Sequence, residues 1–472
     1  VLGAGNVLTS TPDRDCYDHD GYSALRRAPE VVVTCHSVDD VVAAVKTCCS
    51  EGVGFVGRGA GTGLSGGATP LFSEVVIGLA GMNEIEEVAV ADRLIVAGPG
   101  VTNAEMTRAV GSWGMYYAPD PSSQVVCTIG GNVAENSGGA HCLKYGFTTN
   151  HVLGVEIVTP GGEVVLLGGD LAEVPGYDLR GVFIGSEGTL GIATKIYARV
   201  LVRPEAVATM LVEFNSVAAG AGAVADIVSS GIVPAALEMM DQLAMVACEE
   251  ATEAGLPVAS AAVLLIECDG EAGTVDEEIE TIRALCEARG ALSIRLATDE
   301  SERRLLWRAR KAAFAAMGRL APDYIVQDGV VPRASLAEVL DHIAELAREA
   351  GLAVANVFHA GDGNLHPLVL FDDRQPGEGA RARTLAEEIL AGCVERGGSI
   401  TGEHGVGIEK SCLLSLQFSP SDLEVMERVR AVFDPERRAN TGKVFPTPQL
   451  CGEPTGRYRP HPVEEAGLGE RW

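Results

Sequence analysis

A chain of 472 residues has the length for two to four domains, and 47% hydrophobic against 21% charged residues, with a mean hydropathy of +0.17, is an ordinary globular composition. A formal net charge of −29 argues against nucleic acid as a partner, and no apolar run approaches the ~18 residues of a membrane-spanning helix. Twelve cysteines are scattered without C-x₂-C spacing, which argues against iron–sulfur and four-cysteine zinc sites and for buried, reduced thiols. No secretory signal is visible, so a cytoplasmic address is expected. The chain starts at Val1 rather than Met, and a removed presequence would make the address mitochondrial.

The first part reads as alternating strands and helices. Residues 31–33 form a strand, and Asp39 and Asp40 open a helix with Val41, Val45, Cys48 and Cys49 on its apolar face. A strand at 54–56 feeds the run Gly57-Arg58-Gly59-Ala60-Gly61-Thr62-Gly63-Leu64-Ser65-Gly66-Gly67. So many glycines give up backbone entropy, and the usual return is close approach of main-chain N–H groups to a phosphate. The run contains G-x-G-x-x-G, but Pro70 and an apolar strand at 75–79 follow where a dinucleotide fingerprint would open a helix. A strand–loop–strand cradle for a pyrophosphate is expected, with a flexible surface loop as the alternative.

Strand 94–97 and a helix near 102–110 lead to a second cluster: Pro119-Asp120-Pro121-Ser122, Thr128-Ile129-Gly130-Gly131-Asn132 and Asn136-Ser137-Gly138-Gly139. A hairpin turns at Pro160-Gly161-Gly162. A third cluster, Gly185-Ser186-Glu187-Gly188-Thr189-Leu190-Gly191, enters a long strand at 192–202. Three such clusters beside strands suggest one extended ligand, of the length of FAD, lying across several loops; three unrelated tight turns are the alternative.

After Arg203-Pro204 the glycine runs vanish. Strands at 210–214, 235–239, 262–268, 292–296 and 324–327 alternate with helices near 216–230, 241–254, 271–289, 299–318 and 333–351, the last starting at Pro332-Arg333. This implies an antiparallel sheet carrying helices. Residues 1–203 and 204–446 are the expected domains, and 447–472, with Pro454, Pro460 and Pro462, a loosely ordered tail.

In the second domain His359 and His366 flank an Asp362-Gly363 turn, which can bring both imidazoles to one side of a hairpin, and Glu403-His404 lies between glycines some forty residues on. Two His and a carboxylate are a ligand set for zinc or iron(II). Neighbours on an extended chain point apart, so His404 is expected to face away from Glu403's metal and be free as a general base of near-neutral pKa, with support of the ligands as its alternative role. Of Arg303, Arg304, Arg308, Arg310 and Lys311, most are expected on a solvated face, with one turned inward to clamp a carboxylate.

Taken together, Arg58–Gly67, Thr128–Asn132, Gly185–Gly191, His359–His366, Gly402–Gly407 and Gly442-Lys443-Val444-Phe445 resemble FAD-linked 2-hydroxyacid dehydrogenases of the vanillyl-alcohol oxidase superfamily, over residues 12–446. The branch resembled most is that of glycolate oxidase (glycolate dehydrogenase) catalytic D subunits, with D-lactate and D-2-hydroxyglutarate dehydrogenases as relatives. The resemblance implies an α+β chain with a two-part PCMH-type FAD-binding domain and an α+β substrate domain whose end returns to the flavin. It implies FAD at Arg58, Gly59, Ala60, Gly61, Thr62, Gly63, Leu64, Ser65, Pro119, Asp120, Ser122, Thr128, Gly130, Gly131, Asn132, Asn136, Ser137, Gly138, Gly139, Glu187, Gly191, Ile192 and Asn440. Members with covalent FAD often carry a His in the glycine-rich loop; Thr62, Gly63 and Leu64 stand there, so the FAD is expected to be non-covalent. His359, His366 and Glu403 match the metal ligands, His404 the base, and Arg310, three residues after Trp307, the substrate-carboxylate clamp.

The 2-hydroxyglutarate enzymes carry a polar residue just after the second metal His, where this chain has Pro367-Leu368, and a Lys on the strand that here reads Tyr324-Ile325-Val326-Gln327. A small monocarboxylate, glycolate or D-lactate, is therefore the expected substrate, with D-2-hydroxyglutarate, an alcohol, or an inactive flavin-binding subunit of a respiratory complex as alternatives. Without an iron–sulfur motif, electrons are expected to leave to a partner subunit, a quinone or another carrier, which can happen at the inner face of a membrane without a span.

Overall fold

The computed structural model describes residues 2–22, 24–72, 74–170 and 175–447. The tail expected at 447–472 thus lies outside the described residues, Thr447 excepted.

The first domain holds two sheets. In the smaller, Val31–Thr34, Val75–Gly78 and Phe55–Arg58 run parallel in that spatial order, and Val7–Leu8 adds antiparallel to Val31–Thr34. The helix Val38–Glu51 covers it. Ser37 caps that helix with a reciprocal Asp40 bond, and Gly52 at φ 68° ends it. The larger sheet is antiparallel, ordered Ile85–Ala89, Leu94–Ala97, Ile192–Arg199, Val152–Val158, Val164–Gly168. The strand expected to run from 192 to 202 stops at Arg199 after a register shift between Tyr197 and Ala198; Leu201–Val202 pairs separately with Met115–Tyr116.

The second domain is one antiparallel sheet, ordered Ser293–Leu296, Ala206–Phe214, Ala262–Gly270, Ala236–Asp241, Ala353–His359, Asn364–Phe371, Asp323–Val326, with Gly329–Val330 also paired to Asn364–Phe371. Helices bury an apolar core on each face: Val224, Ile279, Ile343 and Ile389 against Phe214, Ile266 and Phe358 on one, Met245, Cys248 and Leu306 against Leu265 and Val357 on the other. This sheet is therefore covered on both sides, which explains strands as apolar as Ala262–Gly270.

Two helix bounds differ from expectation. The helix expected at 299–318 is Glu300–Lys311 and Ala313–Ala316, interrupted at Ala312, whose N–H is shared between the Arg308 and Arg310 carbonyls. At Pro332 a 3₁₀ turn, Arg333–Ser335, precedes the α-helix Leu336–Ala350. Ten described cysteines are free thiols, eight of them buried, as expected; Cys412 departs from that expectation and is disulfide-bonded. Among the described residues, no helix is long and apolar enough to cross a membrane.

The chain closes on itself at its end. Ala439 bridges to Phe55, and Asn440 donates to the carbonyls of Gly67 (2.8 Å) and Glu187 (2.6 Å), tying the first and third glycine clusters together.

Candidate active site

The glycine-rich run is a loop between the strands Phe55–Arg58 and Val75–Gly78, as its sequence implies. It forms one wall of a cavity of about 280 Å³. Among the described residues, the backbone N–H groups of Ala60, Gly61, Thr62, Gly63 and Leu64, all half-buried, donate to no other protein group and form a row of free donors. Two glycines are demanded sterically. A Cβ on Gly59 would stand 2.1 Å from Thr128 Oγ1, and Gly61 sits at φ 70° against the Arg58 guanidinium. Free donors on a side-chain-free wall fit a pyrophosphate.

Of the residues assigned to the cofactor, Gly59, Ala60, Gly61, Thr62, Gly63, Leu64, Ser122, Thr128, Gly131, Asn132, Ser137, Gly138, Glu187 and Asn440 line this cavity. The others lie behind the wall and hold it. Arg58 reaches the Ala68 carbonyl, Ser65 accepts the N–H groups of Ile408 and Glu409, the Pro119 carbonyl accepts from Asn103, and Gly130 packs on Pro99. Asn136 caps a helix at φ 53°, Gly139 lies against Asp120, Gly191 at φ 139° immediately precedes the strand Ile192–Arg199, and Ile192 is core. Asp120 is taken up in ion pairs described below. Pro121 of the second cluster also lines the cavity, as do Asp20, Glu135, Ser123 and Phe314, which were not singled out.

Glu403 and His404 line the same cavity from the second domain. Behind them stands a histidine cluster that strand register assembles. In the hairpin Ala353–His359/Asn364–Phe371, Val357 pairs with His366, which puts His359 and His366 diagonally on one face with ring centroids 5.0 Å apart. Across the next strand pair Glu238 stands opposite His359 and accepts from its Nδ1 at 2.8 and 2.9 Å. That bond aims His359 Nε2 at Glu403 Oε1, 3.3 Å away, while His366 Nε2 lies 3.2 Å from the same oxygen. The donor atoms of His359, His366 and Glu403 all fall within 4.8 Å of one another, and His366 Nε2 is buried without an aligned partner. Two nitrogens and one oxygen converging this way fit zinc or iron(II), with Glu238 as the outer carboxylate that fixes the His359 tautomer.

The expectation that Glu403 and His404 face opposite ways is wrong. The chain bends at Gly402–His404, because the buried Asp328 carboxylate gathers the N–H groups of Gly402 (2.9 Å), Glu403 (3.1 Å) and His404 (2.8 Å) together with the Thr401 hydroxyl. His404 therefore turns back, stacks on His366 at 4.8 Å and 3°, and brings Nε2 to 3.7 Å from Glu403 Oε1. Asp328, His366 and His404 make a second convergent set, but Asp328's oxygens are already occupied by these main-chain donors. The Glu187 carboxylate accepts from Val406 and Gly407 (2.7 and 2.6 Å), so both domains fix this loop.

Burial dominates the electrostatics, and charge pairing then sorts the groups. Desolvation pushes the His404 pKa down to about 4, outweighing the nearby Asp328 carboxylate, so its imidazole is neutral and not poised near neutrality as expected. Burial works against charge on His359 too, but Glu238 and Glu403 overcome it and raise its pKa well above the usual value. Glu403 is held ionised, well below the carboxylate range, by His359 and His366 despite its burial.

Arg310 is the inward-facing cation. It is 3% exposed, with Nη2 2.6 Å from Glu238 Oε2, and it is not on the cavity wall. Its Nε and Nη2 are buried without an aligned acceptor. Fewer of its neighbours are solvated than expected. Arg303 pairs with Glu267, Lys311 with Asp120 at 3.0 Å, and Arg308 donates to the Thr252 carbonyl, leaving Arg304 the most exposed. These contacts belong to a chain of alternating charge between the domains: Lys311, Asp120, His141 (3.0 Å from Asp120), Glu267 (3.3 Å from His141), Arg303. Glu238, Asp328 and Glu267 were all missed. Glu238 and Asp328 are single acids in apolar or turn-like stretches, Glu238 between Leu237 and Met239 being the clearest such signal, while Glu267 is followed by Asp269 and Glu271 and does not stand out.

Comparison with known proteins agrees with this geometry. Residues 29–168 match the family model of the FAD binding domain, and 203–444 that of the FAD linked oxidases, C-terminal domain. Glycolate oxidase subunit GlcD of Escherichia coli (strain K12) is 47% identical over 93% of this chain and 88% of that protein. A D-lactate dehydrogenase of Anaerostipes hadrus is 32% identical over 93% of this chain and 94% of that protein. Among solved structures, 4-ethylphenol oxidase from Gulosibacter chungangensis superposes with a TM-score of 0.79 at 19% identity, covering 94% of this chain and 95% of that one, a likeness of fold.

Proposed function

The chain belongs to the FAD-linked oxidases, and from that premise we propose that it oxidises a small 2-hydroxy acid, glycolate to glyoxylate or D-lactate to pyruvate. One observation carries the reading: Glu403 and His404 belong at once to the histidine cluster and to the wall of the glycine-lined cavity, so a proton acceptor and a candidate metal site open onto the cofactor's space.

FAD, held non-covalently, supplies the acceptor for a hydride. His359, His366 and Glu403 would hold a divalent metal, zinc or iron(II), whose Lewis acidity makes a hydroxyl easier to deprotonate. His404, neutral because it is desolvated, takes the hydroxyl proton. Arg310 is the carboxylate clamp; its two unaligned donors are the fork that binds a carboxylate bidentately, and the substrate then shares the guanidinium with Glu238. Phe314 faces the His366 and His404 rings edge-on, at 5.6 and 6.3 Å, and keeps water from the base. Leu368 and Val326, both buried, offer no charge for a second carboxylate, which favours a monocarboxylate. Electrons then pass to a partner subunit, a quinone or another carrier, an exchange that can take place at the inner face of a membrane.

The test is anaerobic. Glycolate, D-lactate, L-lactate and D-2-hydroxyglutarate are added separately to the purified flavoprotein. Bleaching of the flavin band by glycolate or D-lactate is the expected result; a band that none of them bleaches contradicts the proposal.

A further inference from the structure

Asp20, Glu135 and Glu187 all line the glycine-walled cavity, and Glu135 is unlike the other two. Asp20 accepts the N–H groups of Tyr22 and Ala68, at 2.9 and 3.1 Å, and Glu187 those of Val406 and Gly407. Bonds of that kind favour an ionised carboxylate. Glu135 has none. Among the described residues no hydrogen bond or ion pair reaches its carboxyl, and Oε2 is buried without a partner. The two lysines of this region are committed elsewhere, Lys443 to the Thr69 and Gly67 carbonyls and Asn440 Oδ1, Lys410 to Glu409 and the Gly405 carbonyl.

The Glu135 carboxyl is wedged between two loops. A Cβ on Gly67 would stand 2.9 Å from Oε1, and one on Gly405 2.5 Å from Oε2 and 3.0 Å from the Glu187 carboxyl. Glu135 also ends the helix Ile129–Glu135, where the negative end of the dipole opposes a negative charge. A bare carboxylate in this place would be both desolvated and repelled by its neighbours. Burial first, then Glu187 and Asp20, hold the Glu135 pKa well above the usual value, with Lys410 and Lys443 opposing. Burial raises Asp20 and Glu187 too, but there main-chain donors pull the other way. The proton therefore stays on Glu135. A protonated carboxyl is a hydrogen-bond donor, and the protein offers it no acceptor, so the acceptor belongs to the occupant of the cavity.

The position of Glu135 selects which end of that occupant it meets. Gly405 follows His404, and the flavin ring has to lie against this loop if the carbon whose hydroxyl His404 deprotonates is to pass on its hydride. The diphosphate is expected at the free amides of residues 60–64, and Gly67 lies beyond them. We propose that Glu135 is a cofactor-binding residue that acts as a neutral acid, donating its carboxyl proton in a hydrogen bond to an acceptor atom of the flavin ring. The inference rests on the flavin reading of the cavity and not on which hydroxy acid is oxidised. Such a bond strengthens as the ring gains electrons and negative charge, so it favours the reduced flavin.

The test uses the full holoprotein. The midpoint potential of the bound flavin is measured by anaerobic titration with dithionite against a reference dye, in wild type, Glu135→Gln and Glu135→Leu. The amide of Glu135→Gln still donates, and its potential is expected to stay at the wild-type value. Glu135→Leu is expected to lose about tenfold in preference for reduced over oxidised flavin, a fall of about 30 mV for a two-electron couple. The infrared difference spectrum between the two flavin states is expected to contain the carbonyl stretch of a protonated carboxyl, absent from Glu135→Gln; this measurement stands even if Glu135→Leu does not fold. A potential that rises in Glu135→Gln shows that a charged carboxylate has been removed, and overturns the proposal. Weaker FAD retention at an unchanged potential in Glu135→Leu places the bond on the diphosphate and overturns it too. A wild-type protein with no flavin band even after adding FAD overturns the flavin reading itself, a result distinguishable from both.

Discussion

In the glycine-lined cavity the working groups are main-chain N–H groups, and side chains are kept away: Gly59 leaves no room for a Cβ before Thr128, and five successive amides are free. In the histidine cluster the working groups are side chains, and the main chain serves only to aim them, as where three amides wrap the Asp328 carboxylate. Recognition by backbone depends on a contiguous stretch of sequence. Chemistry by side chains depends on strand register and on buried acids from distant segments, Glu238 some 120 residues before His359 and Asp328 some 75 before Glu403. The two halves are thus expected to fail separately.

The largest separation is expected from His404→Ala. Turnover falls by about 10²- to 10⁴-fold, the range for a lost general base, while the flavin spectrum and FAD content stay as they were. Loss of FAD in this variant breaks the distinction. The reciprocal change, Gly59→Ala, places a methyl 2.1 Å from Thr128 Oγ1; overpacking of this kind costs about 1–3 kcal/mol, read as up to about a hundredfold weaker FAD binding by titration of the apoprotein. Metal content measured on the same sample is expected to be unchanged.

A smaller effect sharpens the comparison by testing what joins the halves. Burial opposes a charge on His141, but Asp120 and Glu267 outweigh it and raise its pKa to about 10. A raised histidine stabilises fully below its unfolded value of about 6.5, and the contribution is lost as pH rises towards about 10. Glu267, also buried, is lowered to about 2 by His141 and Arg303, so its contribution is present above about 4.3 and lost as pH falls towards about 2. Melting temperature is therefore expected to decline from about pH 6.5 to about pH 10, and His141→Gln to flatten that decline. An unchanged slope removes this ion-pair chain from the account.

The same contrast explains what the sequence disclosed. The loop at 57–67 was readable because backbone approach leaves glycine after glycine in one stretch, and Pro70 excluded a helix after it. His359 and His366 were readable because a short hairpin brings them together. The acids that orient them were not, since nothing local ties Glu238 to His359 or Asp328 to Glu403. The bend at Gly402–His404 escaped for the same reason: alternation along an extended chain predicts the opposite facing, and only the distant Asp328 carboxylate reverses it. The break at Ala312 lies in a run of good helix formers, so propensity gave no warning of it.

The central claim is that an imidazole and a metal-bearing cluster act on the hydroxy acid beside the flavin. It is tested most directly by anaerobic bleaching of the holoprotein with the hydroxy acid that reduces it, before and after treatment with a chelator. The account predicts a flavin band that survives chelation, bleaching that is lost, and recovery on adding zinc or iron(II). Bleaching at an undiminished rate in protein shown to be metal-free would contradict it.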